Sequence, residues 1–174
     1  GSEMCIRDSH YHSSEKSADE LAQYIKSKTG NNCVSIKADL TQEIEVQDLI
    51  GRANDKLGGS ISCLINNASI FEYDNIWTAS RDSWDRHIES NLRAPFVLTQ
   101  SFANQVSPSV RDEHGEPLSQ GSIINLIDQR VKKLTPEFTS YTIAKMGLWA
   151  LTKTSAQALA CLLYTSPSPR DPTK

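Results

Sequence analysis

The chain is 174 residues long, with 38% hydrophobic and 22% charged residues, which suits one soluble globular domain better than a disordered chain. Eighteen Lys and Arg against 21 Asp and Glu give a net charge of −3, so nothing electrostatic favours nucleic acid. No apolar run is long enough to span a membrane, and the expected setting is cytoplasmic.

Taken in chain order, residues 14–29 read as a helix with Ala18, Leu21, Ala22 and Ile25 on one apolar stripe and Gly30 as its end. Ser17 with Glu20 has the form of a capping box, although Ser13 or Ser14 could start the helix instead. Cys33 to Asp39 alternates as a strand. Thr41 then caps a helix whose first turn carries Glu43 and Glu45 at the positive end of the dipole. Its stripe is Val46, Leu49, Ile50, Ala53 and Leu57, and Gly58-Gly59 ends it. Ile61 to Ile65 is expected to be a short buried strand, followed by a turn at Asn66-Asn67.

From Arg81 to about Val106 a long helix is expected, with Trp84, Ile88, Leu92, Phe96 and Leu98 among its apolar positions and a kink or break at Pro95. Residues 107–119 form a polar loop. Ile123 to Ile127 reads as a buried strand ended by Asp128, and after a loop to Thr139 a final helix runs to about Ala160. Strands alternating with helices predict an α/β fold, a doubly wound parallel sheet of Rossmann type. Of four cysteines, Cys33 and Cys63 sit beside predicted strands with no metal-ligand spacing; they read as small buried thiols, and no metal is expected.

The chemistry concentrates near the end. Tyr141 and Lys145 lie four residues apart, so on a helix they share a face. A free phenol ionises near ~10, and a fixed ammonium below it favours the phenolate, so Lys145 is expected to lower the Tyr141 pKa and make it a usable general acid. Asp128, thirteen residues before Tyr141, stands at a strand end facing the crevice where open α/β sheets bind ligands. A carboxylate there suits a ring rich in N–H donors better than a ketone. Phe71 could stack on a flat heteroaromatic substrate or serve in the core. Arg130 could contact substrate or phosphate, or be a solvated loop residue. Ser13 and Ser14 are neutral donors where sheets that prefer NAD place an acid, and with His10 and His12 beside them they favour NADPH.

Tyr141, Lys145, Asp128, the Asn66-Asn67-Ala68-Ser69 turn and Asn91, in this order and spacing, resemble the short-chain dehydrogenase/reductase family over about residues 10–160. The family usually has serine where Asp128 stands. Aspartate at that place is similar to the pteridine reductases, as are His10-Tyr11-His12-Ser13-Ser14 and Asn67-Ala68-Ser69-Ile70-Phe71. The resemblance implies reduction of a small-molecule pterin or folate by hydride transfer from NADPH. Tyr141 would be the proton donor, Lys145 would hold the nicotinamide ribose, and Asn91 would help supply protons. His12, Ser13, Ser14, Asp39, Leu40, Asn67 and Ala68 would hold the cofactor, and Ser69, Phe71, Asp128 and Tyr141 would face the substrate. The pteridine reductases have arginine where Ser13 stands. The family usually forms tetramers, so Leu148, Trp149 and Leu151 fit either an interface or a core. A ketone or 3-oxoacyl substrate is the alternative.

Residues 1–9 and 161–174 lack the patterning of the rest and resemble translated adapter or vector sequence. On that reading 10–160 is a partial reductase domain, without the first strand, the glycine-rich phosphate turn and the C-terminal strands. Such a fragment is expected to be inactive and unable to bind a dinucleotide.

Overall fold

The computed structural model describes residues 7–11, 15–106, 112–115, 118 and 120–159, the first of these segments by its backbone alone. Among the described residues, four strands and five α-helices follow in order: β1 (Arg7–Tyr11), α1 (Glu15–Thr29), β2 (Cys33–Lys37), α2 (Glu43–Leu57), β3 (Cys63–Asn66), α3 (Arg81–Ile88), α4 (Ala94–Gln105), β4 (Ser122–Asn125) and α5 (Thr139–Ala158). Among the described residues every strand pairing is parallel, β1 with β2 and β3 with β4, in two separate pairs. Parallel pairs need crossover helices, and α1 and the α3–α4 rod supply them. This is a Rossmann-like α/β fold with a short sheet.

One core joins the two strand pairs. Ile36 within β2 and Ala38 just after it, Val46, Leu49, Ile50 and Ala53 of α2, Leu64 of β3, and Ala94, Val97, Leu98 and Phe102 of α4 pack together. The α2 stripe is the one its sequence period predicts. Gly58 ends that helix at φ 74°, in the left-handed region, with its N–H on the Asn54 carbonyl at 2.9 Å.

Several expectations are corrected. Leu21 of α1 is exposed, leaving Ala18 and Ala22 as the buried stripe. Helix α1 begins at Glu15, so Ser17 and Glu20 lie within it and form no terminal box. Gln42, not Thr41, is the N-cap of α2; Thr41 instead gives both its N–H (2.9 Å) and its hydroxyl (2.8 Å) to Asp39 Oδ1. The strands expected to be buried are half-exposed: Cys63 and Ile65 of β3 and Ile124 of β4 point outward, because no layer covers that face among the described residues. Cys33 is buried as expected, but Cys63 is not.

The long helix breaks before Pro95 rather than at it. Residues Glu89–Arg93 form a π turn between α3 and α4, with the Ala94 N–H reaching back to the Glu89 carbonyl. Pro95 has no N–H to offer Asn91 four residues earlier, and the wider turn absorbs that loss. The inward face is also rotated from the one expected. Trp84 and Phe96 are exposed, while His87, Ser90, Asn91, Ala94, Leu98 and Phe102 are buried. The polar members of that face pass unnoticed by apolar patterning because their cost of burial is met by hydrogen bonds. Leu148 is 1% exposed and belongs to the interior of this chain.

Candidate active site

Helix α5 carries Tyr141 in its first turn and Lys145 one turn later, both buried. β4 stops at Asn125, and Asp128 caps a short 3-10 turn, Gln129–Val131, by accepting the Arg130 N–H at 2.8 Å. Asp128 thus lies beyond the strand end rather than on it. The Tyr141 hydroxyl donates to Asp128 Oδ2 at 3.0 Å, and Lys145 Nζ donates to the Leu126 carbonyl at 3.0 Å. The helix period and the loop between them bring together the three groups the sequence singles out.

The electrostatics differ from expectation at the tyrosine. The Tyr141 phenol is pushed up to about 12, first by burial and then by its hydrogen bond to the Asp128 carboxylate; Ser69 and Arg130 pull it the other way more weakly. Lys145 is not among the groups that pull it down; its ammonium lies 5.8 Å from the ring centroid, over the face of the ring, and donates to the Leu126 carbonyl. Burial lowers the Lys145 pKa, partly offset by Asp128. The Arg130 N–H holds the Asp128 carboxyl below its ordinary range, with Tyr141, Arg130 and Lys145 adding to it against a desolvation cost. Asp128 is therefore an ionised acceptor in the resting site.

The loop after β3 supplies the opposite wall. Asn91 is fully buried and bonds Ile70 through both side-chain atoms. This fixes Ser69 and Phe71 on either side of Ile70. The Phe71 ring stacks on Phe138 (centroids 4.3 Å, interplanar angle 8°) and meets Tyr141 edge-on at 4.8 Å. Arg130 lies over both phenylalanine rings, 4.7 Å from Phe138 and 5.3 Å from Phe71. Phe71 is 53% exposed, so it is no core residue. Sequence reasoning missed Phe138, which sits at φ 58°. A bulky residue in the left-handed region carries no local sequence signal. It also missed the buried His87, although His87 stands one helical turn before Asn91 on the same face.

The residues assigned to a cofactor are less gathered. Asn67 and Ala68 are exposed just after β3, where a small side chain leaves room for a flat group. Asp39 follows β2 on the other strand pair and is engaged by Thr41, while Leu40 packs against the core. His12, Ser13 and Ser14 lie outside the described residues. No group of three potential metal ligands occurs among the described residues, and no helix there is long and apolar enough to cross a membrane.

Known proteins share this chain's fold and part of its sequence. Over 90% of this chain and 59% of theirs, it superposes on FolM alternative dihydrofolate reductase 1 from Brucella canis, crystallised with NADP, with 36% identity and a TM-score of 0.77. A 3-oxoacyl-[acyl-carrier-protein] reductase FabG from Staphylococcus epidermidis is 29% identical over 87% of this chain and 57% of its own length. A short-chain type dehydrogenase/reductase of Picea abies is 27% identical over 86% of this chain and 54% of its own. The chain spans about half the length of the curated relatives it matches. The short chain dehydrogenase family profile matches residues 7–161, from β1 through the end of α5. With the Tyr141–Lys145 helix inside that match, the chain belongs to the short-chain dehydrogenase family.

Proposed function

We propose that the full-length protein is an NADPH-dependent reductase of a pterin or folate, a pteridine reductase-like enzyme. The observation that carries this reading is the ionised Asp128 beside Tyr141, facing the aromatic wall of Phe71 and Phe138. A carboxylate accepts N–H groups and a phenylalanine face accepts a flat ring, which together match an amino-pyrimidine better than a ketone. The FolM protein named above, an alternative dihydrofolate reductase crystallised with NADP, supports both substrate class and cofactor.

The exposed Asn67-Ala68 step and the inward ammonium of Lys145 fit a nicotinamide ribose, since Lys145 has three N–H donors and Leu126 accepts one. The bound cofactor supplies the hydride. Every proton step falls to this chain. As hydride reaches the ring carbon of a C=N bond, the ring nitrogen gains electron density and takes the Tyr141 proton. In the resting site that proton stays on Tyr141 and points at Asp128 Oδ2. Substrate N–H groups binding Asp128 replace Tyr141 as its donor, which frees the hydroxyl and removes a cause of its raised pKa. Ser69, whose hydrogen bond already lowers that pKa, continues to favour release.

NADPH oxidation by the full-length protein with dihydropterins or dihydrofolate tests this reading, and no turnover on any of them overturns it. The relationship to FabG favours one second reading, a carbonyl or 3-oxoacyl substrate. Asp128→Ser separates the two: it harms pterin reduction and preserves carbonyl reduction.

A further inference from the structure

Three buried side chains behind Tyr141 form a cluster that the chemistry above does not use. Asp74 (1% exposed), His87 (0%) and Ser140 (0%) come from the loop after β3, from α3 and from the first turn of α5. A serine with a histidine and an aspartate invites a hydrolytic reading, but Ser140 Oγ lies between the other two and is sealed from solvent, so no substrate reaches it.

The hydrogen-bond directions follow from one fixed donor. The Glu72 N–H can only donate, and it points at His87 Nε2 at 3.1 Å, so Nε2 accepts. Neutral His87 then carries its proton on Nδ1, which donates to Ser140 Oγ at 2.6 Å. Ser140 Oγ passes its own proton bond to Asp74 Oδ2. Asp74 also accepts the Ser140 N–H on Oδ1 at 3.2 Å and the Phe138 N–H on its backbone carbonyl at 2.7 Å. Helix α5 has no cap from its own N-cap side chain, Phe138. Asp74, 66 residues away, takes that part and sets a negative charge at the positive helix end. The next residue is Tyr141, whose ring lies edge-on to the His87 ring at 6.1 Å.

We propose that Asp74, Ser140 and neutral His87 are positioning residues that fix the Tyr141 hydroxyl on the substrate side of α5. The role rests on the reductase reading for its kinetic consequence, not for its geometry. The groups facing His87 are Asp74, Glu72, Arg86, Tyr141 and Ser140, with the Ser83 carbonyl on its own helix. Adding a proton to Nε2 sets two donors against each other at Glu72 N–H, and the loop carrying Glu72 and Asp74 must shift.

The test uses wild type, Ser140→Ala and Ser140→Thr, which keeps the hydroxyl. In 15N-histidine spectra of the chain, His87 is expected as the Nδ1–H tautomer, titrating below the ordinary histidine range because burial disfavours its charged form. Tyr141 ring signals, identified by their loss in Tyr141→Phe, are expected to move in Ser140→Ala and return in Ser140→Thr. In the full-length protein, Ser140→Ala lowers kcat by about tenfold or more while KM for NADPH changes less than about twofold, and Ser140→Thr recovers most of the loss. Should Ser140→Ala fail to fold, His87→Asn, whose amide keeps the donor to Ser140, is compared with His87→Leu, which does not. An Nε2–H tautomer, or Tyr141 signals indifferent to both Ser140→Ala and His87→Leu, overturns the proposal. Absence of pterin turnover in wild type overturns the reductase reading alone, because the spectra still decide the network.

Discussion

Asn91 clasps the backbone of Ile70: its Oδ1 accepts the Ile70 N–H at 2.8 Å and its Nδ2 donates to the Ile70 carbonyl at 2.8 Å. A side chain of the π turn thereby stands in for a strand neighbour. Asn91→Leu keeps the volume and removes both bonds, leaving two backbone groups unpaired. The expected loss is about 2 kcal/mol, read from the urea midpoint at unchanged slope. An unchanged midpoint would mean that water replaces the clasp.

Tyr141→Phe is expected to lower kcat in the full-length protein by about a hundredfold or more, while NADPH affinity stays within about twofold. The Asp128 carboxyl loses one of the bonds that hold its pKa down, so it titrates at higher pH in the variant, measurable by carboxylate 13C shifts.

Stability has opposite pH limits at two neighbouring residues. Tyr141 ionises at about 12 in the fold against 10.0 as a free phenol, so its contribution is complete below pH 10 and is lost as pH rises towards 12. The amount is on the order of 2 kcal/mol for this 5% exposed residue, and Tyr141→Phe should remove that alkaline limb. For His87, burial lowers the pKa below 6.5 despite Asp74 and Glu72. Its stabilisation is present above pH 6.5 and is lost as pH falls towards the folded value. Chemical denaturation across the pH range, in wild type and in His87→Asn, measures both limbs.

Phe138 holds a left-handed backbone at φ 58° and a ring stacked on Phe71. Phe138→Ala loses the stack and keeps the strain. Phe138→Gly loses the stack and relieves the strain. The glycine variant should therefore be the more stable of the two by about 1 kcal/mol, the reverse of the usual order near a helix. Thermal denaturation of the pair decides it, and an alanine variant equal to or better than glycine would show that the backbone there relaxes.

How legible this was in the sequence follows the range of each interaction. The α2 stripe from Val46 to Ala53, the Gly58 stop and the Tyr141–Lys145 pair depend on helical period, which is local, and they emerge where expected. The parallel fold class follows from the alternation of elements. Misreadings occur where a remote partner decides. His87 and Asn91 are buried only because Glu72, Ser140 and Ile70 satisfy them, and a stripe of apolar residues cannot reveal that. Lys145 shares a helix face with Tyr141, as its spacing demands, yet its ammonium is taken by the Leu126 carbonyl, a remote partner. Thr41 looks like a cap, but Asp39 two residues earlier takes both of its donors.

Asp128, Tyr141 and Lys145 come from one loop and one helix, whereas Phe71 enters from the loop after β3. The two parts meet through Phe138 and the Asp74–Ser140 link. On the proposed reading, proton transfer and the substrate wall fall on separate stretches of chain. Selection can redraw the wall, residue by residue between Ser69 and Trp77, while the donor keeps its register. Changes at Asp74, one of the points where the two stretches are joined, should trade new specificity against the proposed alignment of Tyr141.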